Sequence, residues 1–233
     1  LMSNQQYNPL TYNWNIVFLR YCDGSSFSGN NDTATIVNNG TQQLYFRGFH
    51  ILRNALEQLW NDFGLKDATD VITSGCSAGG MATYYHADYI YDNFVPTNAT
   101  YMAMPESGLF LQGFSDTGND DSMESMFDLH NMTIAMNQEC IANHNDNDKY
   151  VCVYAQYTMP YIKSKCFALQ SKFDAAALSG SSFKSNWTEV NIWGNAVVQV
   201  MMNDYINGGE YHLKHGAFFD SCSHHCGEYN HIY

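Results

Sequence analysis

The chain has 233 residues, of which 45% are hydrophobic and only 14% charged, with 23 acidic residues against 10 basic ones for a formal net charge of −13. Such a composition builds a substantial globular core. An acidic chain without basic clusters has no groove for phosphates and no attraction to an anionic membrane, and no apolar run approaches the roughly 20 residues of a membrane span, so no nucleic acid and no transmembrane segment are expected.

Residues 1–13 are polar and carry no initiator Met, basic stretch or apolar stretch; they are not a signal peptide and read as the interior of a longer protein. Residues 15–21 (NIVFLRY) form a short apolar run that predicts a buried strand, ending in the turn-rich Cys22-Asp23-Gly24-Ser25-Ser26. The polar stretch 30–43 predicts a surface loop. Residues 44–63 predict a helix, with Phe49, Leu52, Leu56, Leu59, Trp60 and Phe63 at helical spacing and Gly64 to close it. Val71-Ile72-Thr73 then predicts a strand that runs into Gly75-Cys76-Ser77-Ala78-Gly79 and a helix over 77–94.

This pattern fits G-x-S-x-G, in which a serine sits on a sharp strand-to-helix turn. Glycines flank it because side chains there would meet the neighbouring strand and helix. The helix turns its partial positive end toward the serine, and the N–H of Ala78 becomes a donor for an oxyanion.

Further along, 100–104 predicts a third strand, 116–121 a loop, and 122–138 a Met-rich helix whose methionines fill the core. Residues 143–148 form a very polar loop. A fourth strand is expected over 165–170, ending near Asp174, then a helix over 187–206 broken by Gly208-Gly209, and a last strand over 214–220 leading into Ser221-Cys222-Ser223-His224-His225-Cys226. Strands alternating with helices imply an α/β fold, a mostly parallel sheet with helices on both faces. No repeat or linker divides the chain, so residues 1–233 are expected to form a single domain.

Seven cysteines include two pairs at staple-like spacing, Cys140 with Cys152 and Cys222 with Cys226. Five N-x-S/T sequons, at Asn31, Asn39, Asn98, Asn131 and Asn186, are candidate glycosylation sites. With few lysines, these features point to a secreted, oxidised protein. Zinc on Cys222-x3-Cys226 with His224 and His225 ranks low, because no second Cys pair of matching spacing exists. No metal or cofactor is expected.

A serine hydroxyl is a poor nucleophile that needs a base within hydrogen-bond reach and a carboxylate to orient that base. In α/β-hydrolases the chain order is Ser, then Asp or Glu, then His. Here Ser77 is followed by Asp174, past a predicted strand, and by His224 and His225 after the last one. Position alone does not separate the two histidines.

Several stretches in this order resemble the pectin acetylesterase family of plants and its animal relative Notum, a carboxylesterase that removes a lipid from Wnt proteins. They are Tyr12-Asn13-Trp14-Asn15, Arg20-Tyr21-Cys22-Asp23-Gly24-Ser25-Ser26-Phe27, Ser74-Gly75-Cys76-Ser77-Ala78-Gly79-Gly80, His130-Asn131-Met132-Thr133, Met159-Pro160-Tyr161-Ile162-Lys163, Phe173-Asp174-Ala175, and Ser221-Cys222 with His225-Cys226. The resemblance implies an α/β-hydrolase-like fold with Ser77 as nucleophile, Asp174 as orienting acid and His225 as base, and it implies a Cys140–Cys152 disulfide. It also implies a secreted serine carboxylic ester hydrolase that removes O-acetyl groups from a pectin-like polysaccharide.

The family's upstream Gly-Gly-Trp segment, which adds oxyanion donors and offers a partner for Cys22, has no match here, since no glycine precedes Gly24. The chain thus reads as a pectin-acetylesterase-like domain lacking that part. Ala175-Ala176-Ala177 replaces larger residues after the acid. The alternatives are a non-catalytic secreted structural or binding protein that keeps the fold, and a Notum-like lipid deacylase.

Overall fold

A computed structural model describes residues 4–113, 119–178, 186–207, 211 and 214–227. The first regular elements are a small antiparallel hairpin, β1 (Thr35–Val37) and β2 (Gln42–Leu44). Polar composition predicts only a loop there. The turn residues Asn38, Asn39 and Gly40 all sit at positive φ, the conformation that lets a tight hairpin close. The first helix, α1 (Gly48–Asp62), therefore begins later than its apolar periodicity suggests; it buries Phe49, Leu52 and Leu56. Gly64, with φ +78°, follows in the left-handed conformation that ends helices.

The remaining elements are β3 (Asp70–Cys76), α2 (Ala78–Phe94), β4 (Thr100–Glu106), α3 (Asn119–Leu129), α4 (Gln138–Ala142), α5 (Ala155–Thr158), β5 (Cys166–Ser171), α6 (Trp187–Val200) and β6 (His215–Asp220). A π-helical stretch, Met201–Ile206, prolongs α6. The predicted helix over 122–138 ends at Leu129, because Asn131 adopts positive φ and turns the chain; Met132 and Met136 are still buried in the core. Part of the predicted 116–121 loop is the start of α3, its earlier residues lie outside the described set, and so does the Gly208-Gly209 break.

Strands β3, β4, β5 and β6 form one sheet in that order, every pair parallel. Alternation along each strand sorts side chains to two faces. On one face Tyr101, Ala103, Cys166 and Ala168 are buried against an apolar cluster that includes Tyr84, Tyr85 and Ile90 of α2 and Trp193 and Val197 of α6. On the other face Ile72 and Phe218 stay open to solvent, 41% and 52% exposed. The C-terminal residues on this second face are Cys76, Glu106, Ser171 and Asp220, one from each strand; Cys76 is in register with Glu106, and Ser171 with Asp220.

Residues 15–21 do not form the buried strand that their composition predicts. They are irregular, with Phe18 83% exposed, and among the described residues no strand pairs with them. An apolar run becomes a strand only where its N–H and C=O groups find a ladder.

Candidate functional site

At the C-terminal end of β3 the chain turns through Ser77, at φ +59° and ψ −119°, directly into α2. A non-glycine residue at positive φ stores strain that its surroundings must hold in place. Here the Ser77 N–H donates to the Glu106 carbonyl at 3.0 Å, and the Ser77 carbonyl accepts from the Met81 N–H at 2.9 Å, opening the helix. Of the two glycines that flank the serine in the pattern, Gly75 is a steric requirement and Gly79 is not, since a Cβ on Gly79 would meet nothing within 4 Å; the close approach on the helix side falls on Gly80. A Cβ on Gly75 would lie 2.6 Å from the Gly79 carbonyl oxygen, and one on Gly80 would lie 2.3 Å from that of Glu106. Ala78 is the first residue of α2, so its N–H has no acceptor within the helix.

Asp174 lies just past β5 and is 1% exposed. Its carboxylate accepts from the N–H groups of Ala176 and Ala177 at 2.9 and 3.0 Å, and from the Gln170 amide at 3.3 Å. Gln170 also accepts from the Leu109 N–H, tying the carboxylate to the turn after β4. The Nδ1 of His225 faces both carboxylate oxygens of Asp174, at 2.8 and 2.9 Å. A carboxylate there keeps the ring proton on Nδ1 and leaves Nε2 as the basic nitrogen. His224 has a different carboxylate: its Nε2 meets Asp220 at 2.8 Å, and its Nδ1 meets the Cys226 carbonyl at 3.2 Å. The adjacent histidines, equivalent by position in the sequence, are thus distinct in space.

The strand-to-helix turn and the histidine loop are joined covalently. Cys76, which precedes Ser77, is bonded to Cys226, which follows His225, across a sequence separation of 150. A ring nitrogen of His225 lies within 4.8 Å of both sulfurs. The sequence spacing predicts Cys222–Cys226 instead; that bridge does not form, and Cys222 is an exposed free thiol. The loop after β6 runs back across the sheet to β3, which brings Cys226 to Cys76, a meeting that local spacing cannot reveal. Bonded sulfurs are not thiolates, so neither Cys76 nor Cys226 is available as a zinc ligand. Cys140–Cys152 forms as expected, while Cys22 is exposed and Cys166 buried, its thiol pushed up to about 12 by that burial.

Of the sequon asparagines, Asn39 lies exposed in the hairpin turn and Asn98 exposed before β4, whereas Asn186 caps α6 through its side-chain oxygen. Asn31 and Asn131 donate their amides to the Leu129 and Asn30 carbonyls.

Sequence reasoning missed the Cys76–Cys226 bridge, Gln170, and the pair Glu106 and Ser107. The available signal was adjacency, since one cysteine touches the candidate nucleophile and another the candidate base.

A family model described as Pectinacetylesterase matches residues 1–232. Pectin acetylesterase 5 of Arabidopsis thaliana is 29% identical over 246 residues, covering 97% of this chain and 56% of that protein. Pectin acetylesterase 7 of the same plant is 31% identical over 178 residues, covering 75% of this chain and 43% of that protein. The palmitoleoyl-protein carboxylesterase NOTUM of Drosophila melanogaster is 23% identical, covering 94% of this chain and 34% of that one. In fold, the solved structure of the Wnt deacylase Notum from Drosophila aligns with a TM-score of 0.84 at 22% identity, over 99% of this chain and 65% of that chain. The chain therefore spans about half the length of the curated relatives it matches.

Proposed function

Because the chain belongs to the pectinacetylesterase family, we propose that it works as a serine carboxylic ester hydrolase that removes O-acetyl groups from a pectin-like polysaccharide. The observation that carries the reading is the His225–Asp174 hydrogen bond on a loop that a disulfide fastens to the residue before Ser77. In this reading the Ser77 oxygen attacks the ester carbonyl carbon while His225 Nε2 takes the hydroxyl proton. Asp174 holds the imidazole in the tautomer that leaves Nε2 free and stabilises the imidazolium that forms. The Ala78 N–H, at the positive end of α2, donates to the tetrahedral oxyanion. Collapse breaks the ester bond, and the proton passes from His225 to the departing sugar hydroxyl. Water then attacks the acetyl-serine carbonyl as His225 takes one of its protons; collapse breaks the acyl–Ser77 bond, His225 returns that proton to the Ser77 oxygen, and acetic acid leaves to ionise as acetate.

The two disulfides support an oxidising compartment, and with the exposed sequons at Asn39 and Asn98 they favour a secreted glycoprotein. Among the described residues no helix is long and apolar enough to cross a membrane.

The test is turnover of a small aryl acetate and of acetylated pectin by the full chain and by Ser77→Ala. Loss of at least about a thousandfold in kcat is expected; a variant that keeps wild-type turnover refutes the assignment. Running aryl esters of increasing acyl length alongside separates acetyl removal from removal of a lipid chain.

A further inference from the structure

The loop that carries His225 leaves β6 at one edge of the sheet and crosses to β3 at the other, and each strand end holds it. The C-terminal residues on the open face form a stepped row, Cys76, Glu106, Ser171 and Asp220, with Ser171 two residues beyond Leu169, the register partner of Glu106. Asp220 takes the His224 ring, the Ser171 hydroxyl donates to the Cys222 carbonyl at 2.5 Å, Glu106 accepts from the Gly227 N–H at 2.5 Å, and Cys76 is bonded to Cys226. Next to Glu106, Ser107 takes the Cys226 N–H on its hydroxyl at 3.1 Å. The segment held this way needs restraint, because Cys226, a residue with a side chain, sits at φ +64°.

Within this row Glu106 stands apart. It is 2% exposed and touches both halves of the site. Its main-chain carbonyl accepts the N–H of Ser77, and its side chain accepts the N–H two residues past His225. We infer that Glu106, supported by Ser107, is a positioning residue that fixes His225 relative to Ser77. The inference rests on the esterase reading above and adds a residue to it. The side chain is held in place by its burial, so its oxygen fixes the direction of the Gly227 N–H and with it the loop. Losing it lets the loop pivot about the disulfide, and a shift of about 1 Å in a reacting group costs on the order of a hundredfold in rate.

The experiment compares the full wild-type chain with Glu106→Ala, Glu106→Leu, Glu106→Gln, Ser107→Ala and Ser77→Ala. Three readouts are taken: kcat and KM on an aryl acetate, thermal unfolding, and the low-field proton resonance of His225 Nδ1–H on Asp174. Glu106→Ala and Glu106→Leu are expected to lower kcat on the order of a hundredfold, with KM within about twofold, and to broaden or lose the resonance. Glu106→Gln keeps an oxygen for the Gly227 N–H and is expected to recover kcat to within about fivefold, with the resonance restored.

A kcat within about twofold of wild type in the Ala or Leu variant overturns the inference. So does a fall in kcat that tracks thermal stability and is not recovered by Gln. Where neither Ala nor Leu folds, Ser107→Ala decides: a drop of at least about fivefold in kcat at unchanged KM supports positioning, and an unchanged kcat overturns it. A wild-type chain without Ser77-dependent turnover removes the esterase reading, and the resonance then decides this one by itself, with its persistence in Glu106→Ala or Glu106→Leu, or in Ser107→Ala where neither folds, counting against it.

Discussion

Each of the two neighbouring histidines meets its own carboxylate, Asp174 for His225 and Asp220 for His224. Replacing them separates their work. His225→Ala is expected to lower kcat at least about a thousandfold, and His224→Ala, which loosens the loop but leaves the base, less than about tenfold; steady-state kinetics on an aryl acetate measures both. Asp174→Asn keeps the shape of the site but offers an amide that favours the wrong tautomer, and is expected to cost on the order of ten-thousandfold in kcat. At this scale Ser77 was legible because a strained serine between glycines leaves a local trace in sequence. His225 was separable from His224 only through a family pattern, since two adjacent residues of one chemistry carry no spacing information. Gln170 and Glu106 left no trace, as each acts through a contact made far along the chain, Gln170 with the Leu109 N–H and Glu106 with the Gly227 N–H.

At the level of elements, β3, Ser77 and α2 form a unit that close approach defines. Gly80 lets the first turn of α2 lie against the end of β4, and Gly80→Ala puts a methyl 2.3 Å from the Glu106 carbonyl oxygen. Overpacking against backbone is expected to cost about 1–3 kcal/mol, read by denaturant unfolding, with kcat reduced as well because Ser77 and Glu106 move together. The two disulfides differ in kind. Cys140–Cys152 closes a separation of 12 and Cys76–Cys226 one of 150. In the chain-entropy account these correspond to about 3 and about 5 kcal/mol. Cys76→Ser with Cys226→Ser is expected to lower both stability and kcat, whereas Cys140→Ser with Cys152→Ser lowers stability with much less effect on kcat. Unfolding curves and kinetics on both double variants check this. The strand–turn–helix and the parallel strands were readable because periodicity and turn chemistry are local. The 15–21 segment was misread because apolar composition reports a wish for burial and not the presence of a neighbouring strand. Cys76–Cys226 was missed because the crossing of the last loop is a property of topology.

Over the whole molecule, the site rests on a core that is itself sensitive to acid. His86 on α2 is 1% exposed, packed on the turn at Ser26 and Ser28, with Nε2 3.2 Å from both the Ser28 hydroxyl and the Ser26 carbonyl. Burial lowers it to about 4 from its ordinary 6.5. Between those values the unfolded chain takes up a proton that the folded one does not, so stability falls as pH drops from about 6.5 to about 4, by at most about 3 kcal/mol from this group. His86→Gln is expected to flatten that part of the stability–pH curve, measured by denaturant midpoints across the range. The overall α/β architecture was legible from alternating elements. The unequal faces of the sheet were not, because exposure of Ile72 and Phe218 depends on what packs above them.

The central claim is that Ser77 is a nucleophile activated by His225, and covalent capture tests it most directly. The full chain is treated with a fluorophosphonate probe and the labelled peptide identified by mass spectrometry. The account predicts a single adduct, on Ser77, that is retained in His224→Ala and lost in His225→Ala. An unmodified Ser77, or labelling that persists without His225, contradicts it.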